Sequence, residues 1–381
     1  KRRANTMATL RIAWHDYNRD ETGFNIYRSD APMNPDSMPS PIASVGPNVG
    51  AYDDNTVVGG NEYYYRIGVL RNGEELISEE QKLKAFNFTL VSGSEDKTIK
   101  KIDPNGNEVT SGGWPFTEHA VNVFSLVIDS NGYVYSGSFD STVKKIDPNG
   151  SEVWSFTGHT NIVRSVAVDS DGYVYSGSDD STVRKIDSDG NEVWSFTGHT
   201  DRVRNVAVDS NGYVYSGGDD KKVRKIDPNG NEVTTGGWPF TGHTYDVQSV
   251  FIDSNDNLYS GSDDSTVRKI DSDGNEVWSF TGHTDRVRNV AVDSNGYVYS
   301  GGDDKKVRKI DPNGNEVTTG GWPFTGHERT VRTISITKSN NYIYSASDDK
   351  EVKKIDSDGN EVWTFTGHTD RVFAVAVYLD Y

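Results

Sequence analysis

A histidine, a serine and an aspartate return together in this chain about every 40 to 45 residues. His159, Ser176 and Asp180 form one set, and His199, Ser216 and Asp220 the next. These are the residue types of a nucleophile, a general base and the acid that orients it. The histidines of the frame are His119, His159, His199, His243, His283, His327 and His368, each preceded by Gly or Glu. Repetition argues against a hydrolase, because catalysis needs one differentiated constellation rather than many equal ones. A metal centre is also disfavoured: the histidines are spread along the chain, and neither an HExxH motif nor any cysteine is present. The turns DSDGNE and DPNGNE offer closely spaced carboxylates that suit a hard cation, but they lack the twelve-residue ligand pattern and read first as hairpin turns. Adjacent basic residues such as Lys144-Lys145 and Arg184-Lys185 could form a ring for polyanions. The reading preferred is that their stems cover apolar surface while their heads meet carboxylates. No catalytic residue, metal ligand or cofactor is expected.

The elements that position these residues are short strands. Residues 159–198 carry four strand signals: VRSVAVD, YVYSGS, TVRKID and EVWSF, separated by Asp- and Gly-containing turns. Asp-Gly and Asn-Gly between alternating runs are strong hairpin signals, because Gly accepts positive φ without steric cost. Four antiparallel strands per repeat describe a propeller blade. The turn aspartates Asp96, Asp140, Asp180, Asp220, Asp264, Asp304 and Asp349 count seven blades. The first repeat lacks a leading strand, and RVFAVAVYLDY at the C-terminal end supplies a leading strand with nothing after it. The strand near Val372 to Val377 is therefore expected to complete the first blade and close the ring, with His368 joining Ser92 and Asp96. Trp114, Trp154, Trp194, Trp238, Trp278, Trp322 and Trp363 each precede a Phe by two residues. They are expected to pack between blades, burying roughly 150–250 Å² each. Insertions of TSGG or TTGG before WPF should bulge the outer strand or lengthen its entry loop. Residues 178–243 recur unchanged at 262–327.

Composition agrees with an all-β chain: 381 residues, 33% hydrophobic, with 38 glycines. The net charge of -18 repels nucleic acid and anionic membranes, and no apolar run approaches the roughly 18 to 20 residues needed to span a bilayer. Neither nucleic-acid binding nor membrane insertion is expected.

Residues 1–86 lack the period. TLRIAWHD, GFNIYRSD and EYYYRIGVL alternate Leu10, Ile12 and Trp14, then Phe24 and Ile26, then Tyr63, Tyr65, Ile67 and Val69, against polar residues. With AYDDNTV at 51–57, these runs resemble a fibronectin type III domain, which implies a β-sandwich with Tyr63 or Tyr65 as a packed corner tyrosine. The domains expected are thus a sandwich over 1–86 and a seven-bladed propeller over 87–381.

The propeller repeat resembles the WD-repeat family, where His, Ser and Asp form a hydrogen-bonded group with a third-strand Trp. Here Ile146, Ile186 and Ile226 stand at that third-strand position. The spacing of Asp187, Gly190 and Trp194 is instead similar to pyrroloquinoline-quinone-type propellers. The resemblance implies scaffold roles for the recurring polar residues.

Comparing repeats with one another isolates one variable end. After the histidine the chain reads AVN, TNI, TDR, TYD, TDR, ERT and TDR, while the DSNG and DPNG turns hardly change. Loops on a rigid scaffold are where binding resides, and aromatic and Arg residues are favoured anchors. The candidate binding residues are Phe139, Asn161, Arg202, Tyr245, Arg286, Arg329 and Arg371. The stretch IYRSDAPMNP…YDDNTVV…YYYRIGVLRNG is similar to sandwich domains of phage tail and other virion proteins. That resemblance implies a non-catalytic component of a phage virion, tail-associated, found in the virion or extracellularly. Its partners would be other virion proteins or a host-surface protein or glycan, with homo-oligomerisation inside the assembly. The alternative is a secreted bacterial adhesin or glycan-binding module, and a propeller enzyme ranks third.

Overall fold

The computed structural model describes residues 8–14, 21–35, 37–47, 49, 51–54, 57, 61–84, 86–337 and 342–379. All regular structure among them is β. The chain divides into two compact units, Lys1–Thr89 with Leu379–Tyr381, and Leu90–Tyr378. The expected division after residue 86 falls instead inside one strand, Phe86–Ser94. Its early residues pair with Ala8 and Thr9, and its later ones pair with Ile99–Ile102. Strand pairing thus places the boundary three residues later than composition suggested.

In the first unit, Ala8–Ala13 pairs antiparallel with Ala51–Asp54. A second sheet runs in the order Ala43–Val45, Gly23–Ser29, Glu62–Arg71, Glu74–Ile77, with Gln81–Lys84 also on Glu62–Arg71. Leu10, Ile12, Phe24, Ile26, Tyr63, Tyr65 and Ile67 form its core, as their alternation with polar neighbours dictates. Tyr65 is buried and its hydroxyl donates to Asp54 Oδ2 at 2.9 Å. Arg28 Nη1 reaches the same oxygen at 2.8 Å, so the fully buried Asp54 is both paired and hydrogen-bonded. Burial and the Asp54 carboxylate together push the Tyr65 phenol well above its ordinary pKa.

The second unit repeats one sheet. Val123–Ile128, Val134–Ser138, Val143–Ile146 and Glu152–Phe156 pair in chain order, and the same order recurs over 163–196, 247–280 and 331–365. The second strand of each repeat is buried on both faces, as in the VYSGS run Val174–Ser178. Gly177 shows why a small residue stands there: a Cβ would lie 2.7 Å from Val203 Cγ1 of the next repeat. Where TSGG or TTGG is inserted, the fourth strand shrinks to Glu108–Val109 or to single bridges such as Val223↔Phe240 and Val307↔Phe324. The inserted glycine instead reaches the adjacent repeat, Gly237 N–H donating to Asp273 O at 2.7 Å.

Two sets of contacts join successive repeats. Each fourth-strand Trp donates its indole N–H to a turn carbonyl of the following repeat, as Trp154 to Ser188 O at 2.9 Å and Trp194 to Pro228 O at 3.1 Å. Its ring lies on the turn glycine: Gly190, at φ +92, would place a Cβ 3.1 Å from the Trp154 ring. At the other end of the sheets that follow Val123–Phe156, a first-strand N–H that would otherwise be an open edge finds a side chain of the preceding repeat. Val206 N–H donates to Ser165 Oγ at 3.1 Å, Val250 N–H to Asn205 Oδ1 at 2.9 Å, and Val377 N–H to Ser335 Oγ at 3.1 Å. The final strand Val372–Leu379 pairs with Phe86–Ser94. Trp363 donates to Pro104 O at 3.1 Å.

Candidate functional site

The His–Ser–Asp sets have the connectivity of a hydrolytic triad. His159 Nδ1 lies 2.8 Å from Asp180 Oδ2, and its Nε2 lies 2.8 Å from Ser176 Oγ. The other repeats copy this arrangement, including His368 with Asp96 and Ser92, both at 2.8 Å. Access distinguishes them from active sites. Ser92, Ser136, Ser176, Ser216, Ser260, Ser300 and Ser345 are each 0% exposed, so no substrate carbonyl can approach their Oγ atoms. The arrangement instead ties the loop before the first strand to the second strand and the turn after it. Burial alone would raise the aspartate pKa values, but the bonds from His and neighbouring groups outweigh it. Asp220 and Asp304 are held at about 2, and Asp96, Asp140, Asp180, Asp264 and Asp349 also lie below the ordinary value.

The remaining sequence candidates resolve in the same way. Asp187 Oδ1 accepts from the backbone N–H of Asp189 and of Asn191 at 3.0 and 2.8 Å, so the carboxylate closes its own turn. Of the adjacent basic residues, the first meets a fourth-strand carboxylate, as Lys144 meets Glu152 at 2.7 Å. The second does not meet carboxylates as expected. Lys145 Nζ lies 4.8 Å above the Tyr133 ring and 5.4 Å above Tyr135, a cation–π arrangement. Period-two geometry sends the two neighbours to opposite faces, and only one face carries the Glu. His327, Asp349 and Glu351 present ligand-type atoms within 4.8 Å of one another. Both His327 nitrogens are engaged, by Asp349 and Ser345 at 2.8 Å, and Glu351 pairs with Lys353 at 2.9 Å.

The variable end is where the repeats differ. Phe139 and Tyr245 are 47% and 59% exposed. Asn161, Arg202, Arg286 and Arg329 are exposed, and Arg371 is partly buried in a two-pronged pair with Glu95. Arg202 stands 4.0 Å from Asp179 and Arg286 3.8 Å from Asp263, while Lys221 lies 5.4 Å above the Tyr245 ring. The structure does not gather these seven at one cavity. A cavity of about 510 Å³ is lined by the first strands of successive repeats, and none of the seven lines it.

Sequence reasoning missed the residue after the first-strand valine, which does line that cavity. In four repeats it is an arginine gripping the aspartate that follows the second strand. Arg164 holds Asp179 at 2.9 and 2.7 Å, and Arg288 holds Asp303 at 2.8 and 2.6 Å. Arg204–Asp219 and Arg332–Asp348 match them. The pattern breaks in two sectors. One has Phe124 and Phe373 stacked at 4.8 Å, with Phe139 at 6.2 Å from Phe124 and Arg164 4.6 Å above the Phe124 ring. The other has Gln248, so that Asp263 is approached only at 3.6 Å by Arg288 and 3.8 Å by Arg286. Burial foremost, then the Asp219 and Asp263 carboxylates, push the Asp246 carboxyl above its ordinary pKa. Asp263 is raised as well, by burial foremost, against the pull of Arg288. The signal was present in the sequence as VF, VR, VR, VQ, VR, VR and VF.

Comparison with known proteins places these repeats. Residues 75–226 match the family described as IP5P C-F beta-propeller. Residues 263–377 match the family described as outer membrane protein assembly factor BamB. Residues 230–271 match the WD domain, G-beta repeat. No curated protein matches the chain. The chain therefore carries β-propeller repeats that combine WD and quinoprotein-like features.

Proposed function

We propose that the chain is a non-catalytic recognition protein, whose repeats form a closed seven-bladed ring and dock a partner protein over the variable end. Propeller and WD-repeat domains generally mediate protein binding. The observation that carries the reading is a contrast within the variable end of the repeat. The triads are sealed and alike, whereas the cavity-lining arginine row is interrupted by phenylalanines in one sector and by Gln248 in another. Pairing of Val372–Leu379 with Phe86–Ser94 and the Trp363–Pro104 bond support closure. The phenylalanine sector offers an apolar anchor, and Asp246 and Asp263 offer carboxylates that favour a cation. The partner segment is therefore a peptide that combines an apolar side chain with Lys or Arg.

A peptide array on the full chain tests this. Binding should concentrate on apolar-basic peptides, and Phe139→Ala or Asp246→Asn should each weaken it roughly tenfold, the order of one good anchor. Equal binding of acidic peptides, or binding indifferent to both substitutions, would refute the chosen surface. The finer placement we favour is a tail-associated virion component with a fibronectin type III-like spacer. A secreted adhesin or glycan-binding module is the alternative, and an enzyme ranks below both. Detection of the chain in purified particles supports the first, and a glycan-array signal supports the second.

A further inference from the structure

A second cavity, of about 470 Å³, lies within the first unit. Ile12, Trp14, Phe24, Ile67 and Val69 give it apolar walls, Leu76, 60% exposed, stands at its edge, and Arg71 and Glu79 add one charge of each sign to the lining beside Glu21. That volume falls within the range of small-molecule sites, which combine apolar walls with a few placed polar groups. Two polar atoms lining it are buried without a hydrogen-bond partner among the described residues: Trp14 Nε1 and Glu21 Oε1. Glu21 is only 8% exposed.

The cavity opens to solvent, so its apolar walls face water until an apolar body covers them, and a buried carboxylate oxygen needs a donor or a cation beside it. Both deficits are met by one kind of occupant. The indole N–H calls for an acceptor oxygen, the carboxylate calls for a cationic donor, and the walls call for an apolar body.

We propose that this cavity binds a small amphiphilic organic amine, with the ammonium against Glu21, an oxygen accepting from Trp14 Nε1, and an aryl or alkyl body against Ile12, Phe24, Ile67 and Val69. The site is independent of the recognition role assigned to the propeller repeats. No covalent step is involved.

Isothermal titration of the full chain with four probes separates the contributions. The probes are 2-amino-1-phenylethanol, phenethylamine, 2-phenylethanol and 3-phenylpropanoate. The amino alcohol should bind saturably at one site, phenethylamine more weakly, the neutral alcohol weaker still, and the carboxylate not at all. Glu21→Gln, nearly isosteric, should weaken amino-alcohol binding at least tenfold while leaving the binding of neutral 2-phenylethanol largely unchanged. Val69→Phe, which fills the cavity, should abolish binding while far-ultraviolet circular dichroism stays that of the parent. Absence of saturable amine binding overturns the proposal. So does carboxylate binding equal to amine binding, or a Glu21→Gln protein that binds the amine as the parent does.

Discussion

Removing residues 372–381 takes away the strand that pairs with Phe86–Ser94 and leaves that strand with an open edge. Val372, Ala374, Val375 and Ala376 are 0%, 4%, 4% and 7% exposed, and Ala374 and Ala376 belong to the cluster around Val91, Ile99 and Trp114. Burial of a valine side chain contributes about 1.5–3 kcal/mol, and a methyl about 0.8 kcal/mol. The four side chains together thus contribute roughly 5–8 kcal/mol, reduced by about a quarter for the compactness of real unfolded chains. Against a total stability of about 5–15 kcal/mol, that loss is a large fraction. At about 2 °C per kcal/mol for a unit of this size, the melting temperature should fall by about 7–12 °C, or cooperative melting should vanish. Differential scanning calorimetry of the truncated and full chains measures it. A truncated protein whose transition for the propeller repeats coincides with the parent's would refute both the closure and the energetic reasoning.

Other outcomes follow from the same geometry. His159→Ala leaves Asp180 and Ser176 without their shared partner and should cost about 1–3 kcal/mol in chemical denaturation, whereas Ser176→Ala should leave any ester hydrolysis measured with the parent unchanged. Acid should act through the triad carboxylates. Their folded pKa values are depressed, so their stabilisation is complete above the ordinary value of 3.8 and is lost as pH falls through the folded values, which are about 2 for Asp220 and Asp304. Melting temperature followed by circular dichroism should therefore drop most steeply below pH about 4. A main loss between pH 7 and 5 would contradict this. Tyr65→Phe removes the hydroxyl that donates to buried Asp54 and should destabilise the first unit by about 1.5–3 kcal/mol, read as a shift in its denaturant midpoint.

Much of the repeat was legible in the chain because each feature lies within one period. Hairpin turns, alternating valines and the His–Ser–Asp spacing are local or nearly so, and repetition made them stand out against chance. The alternation of Phe24, Ile26, Tyr63, Tyr65 and Ile67 likewise named the first unit's core, since period two fixes which face each side chain takes. The candidate binding residues were legible only as exposed positions at variable turns. Their relation to the cavity was not, because that depends on which side of the first strand faces inward.

The copied segments show where the sequence stops. Residues 178–243 and 262–327 are identical, yet Asp179 is held in a two-pronged grip by Arg164 whereas Asp263 meets only the more distant Arg288 and Arg286. The partner at that position is contributed by the strand before each copy, Arg164 in one and Gln248 in the other. Composition and spacing determined the strands, their turns and the sealed triads, because those, His368 with Ser92 and Asp96 apart, are satisfied within a repeat. Only tertiary structure decided which charges are neutralised and which polar atoms, such as Glu21 Oε1, are left buried without a partner among the described residues, because burial and pairing depend on neighbours far away along the chain.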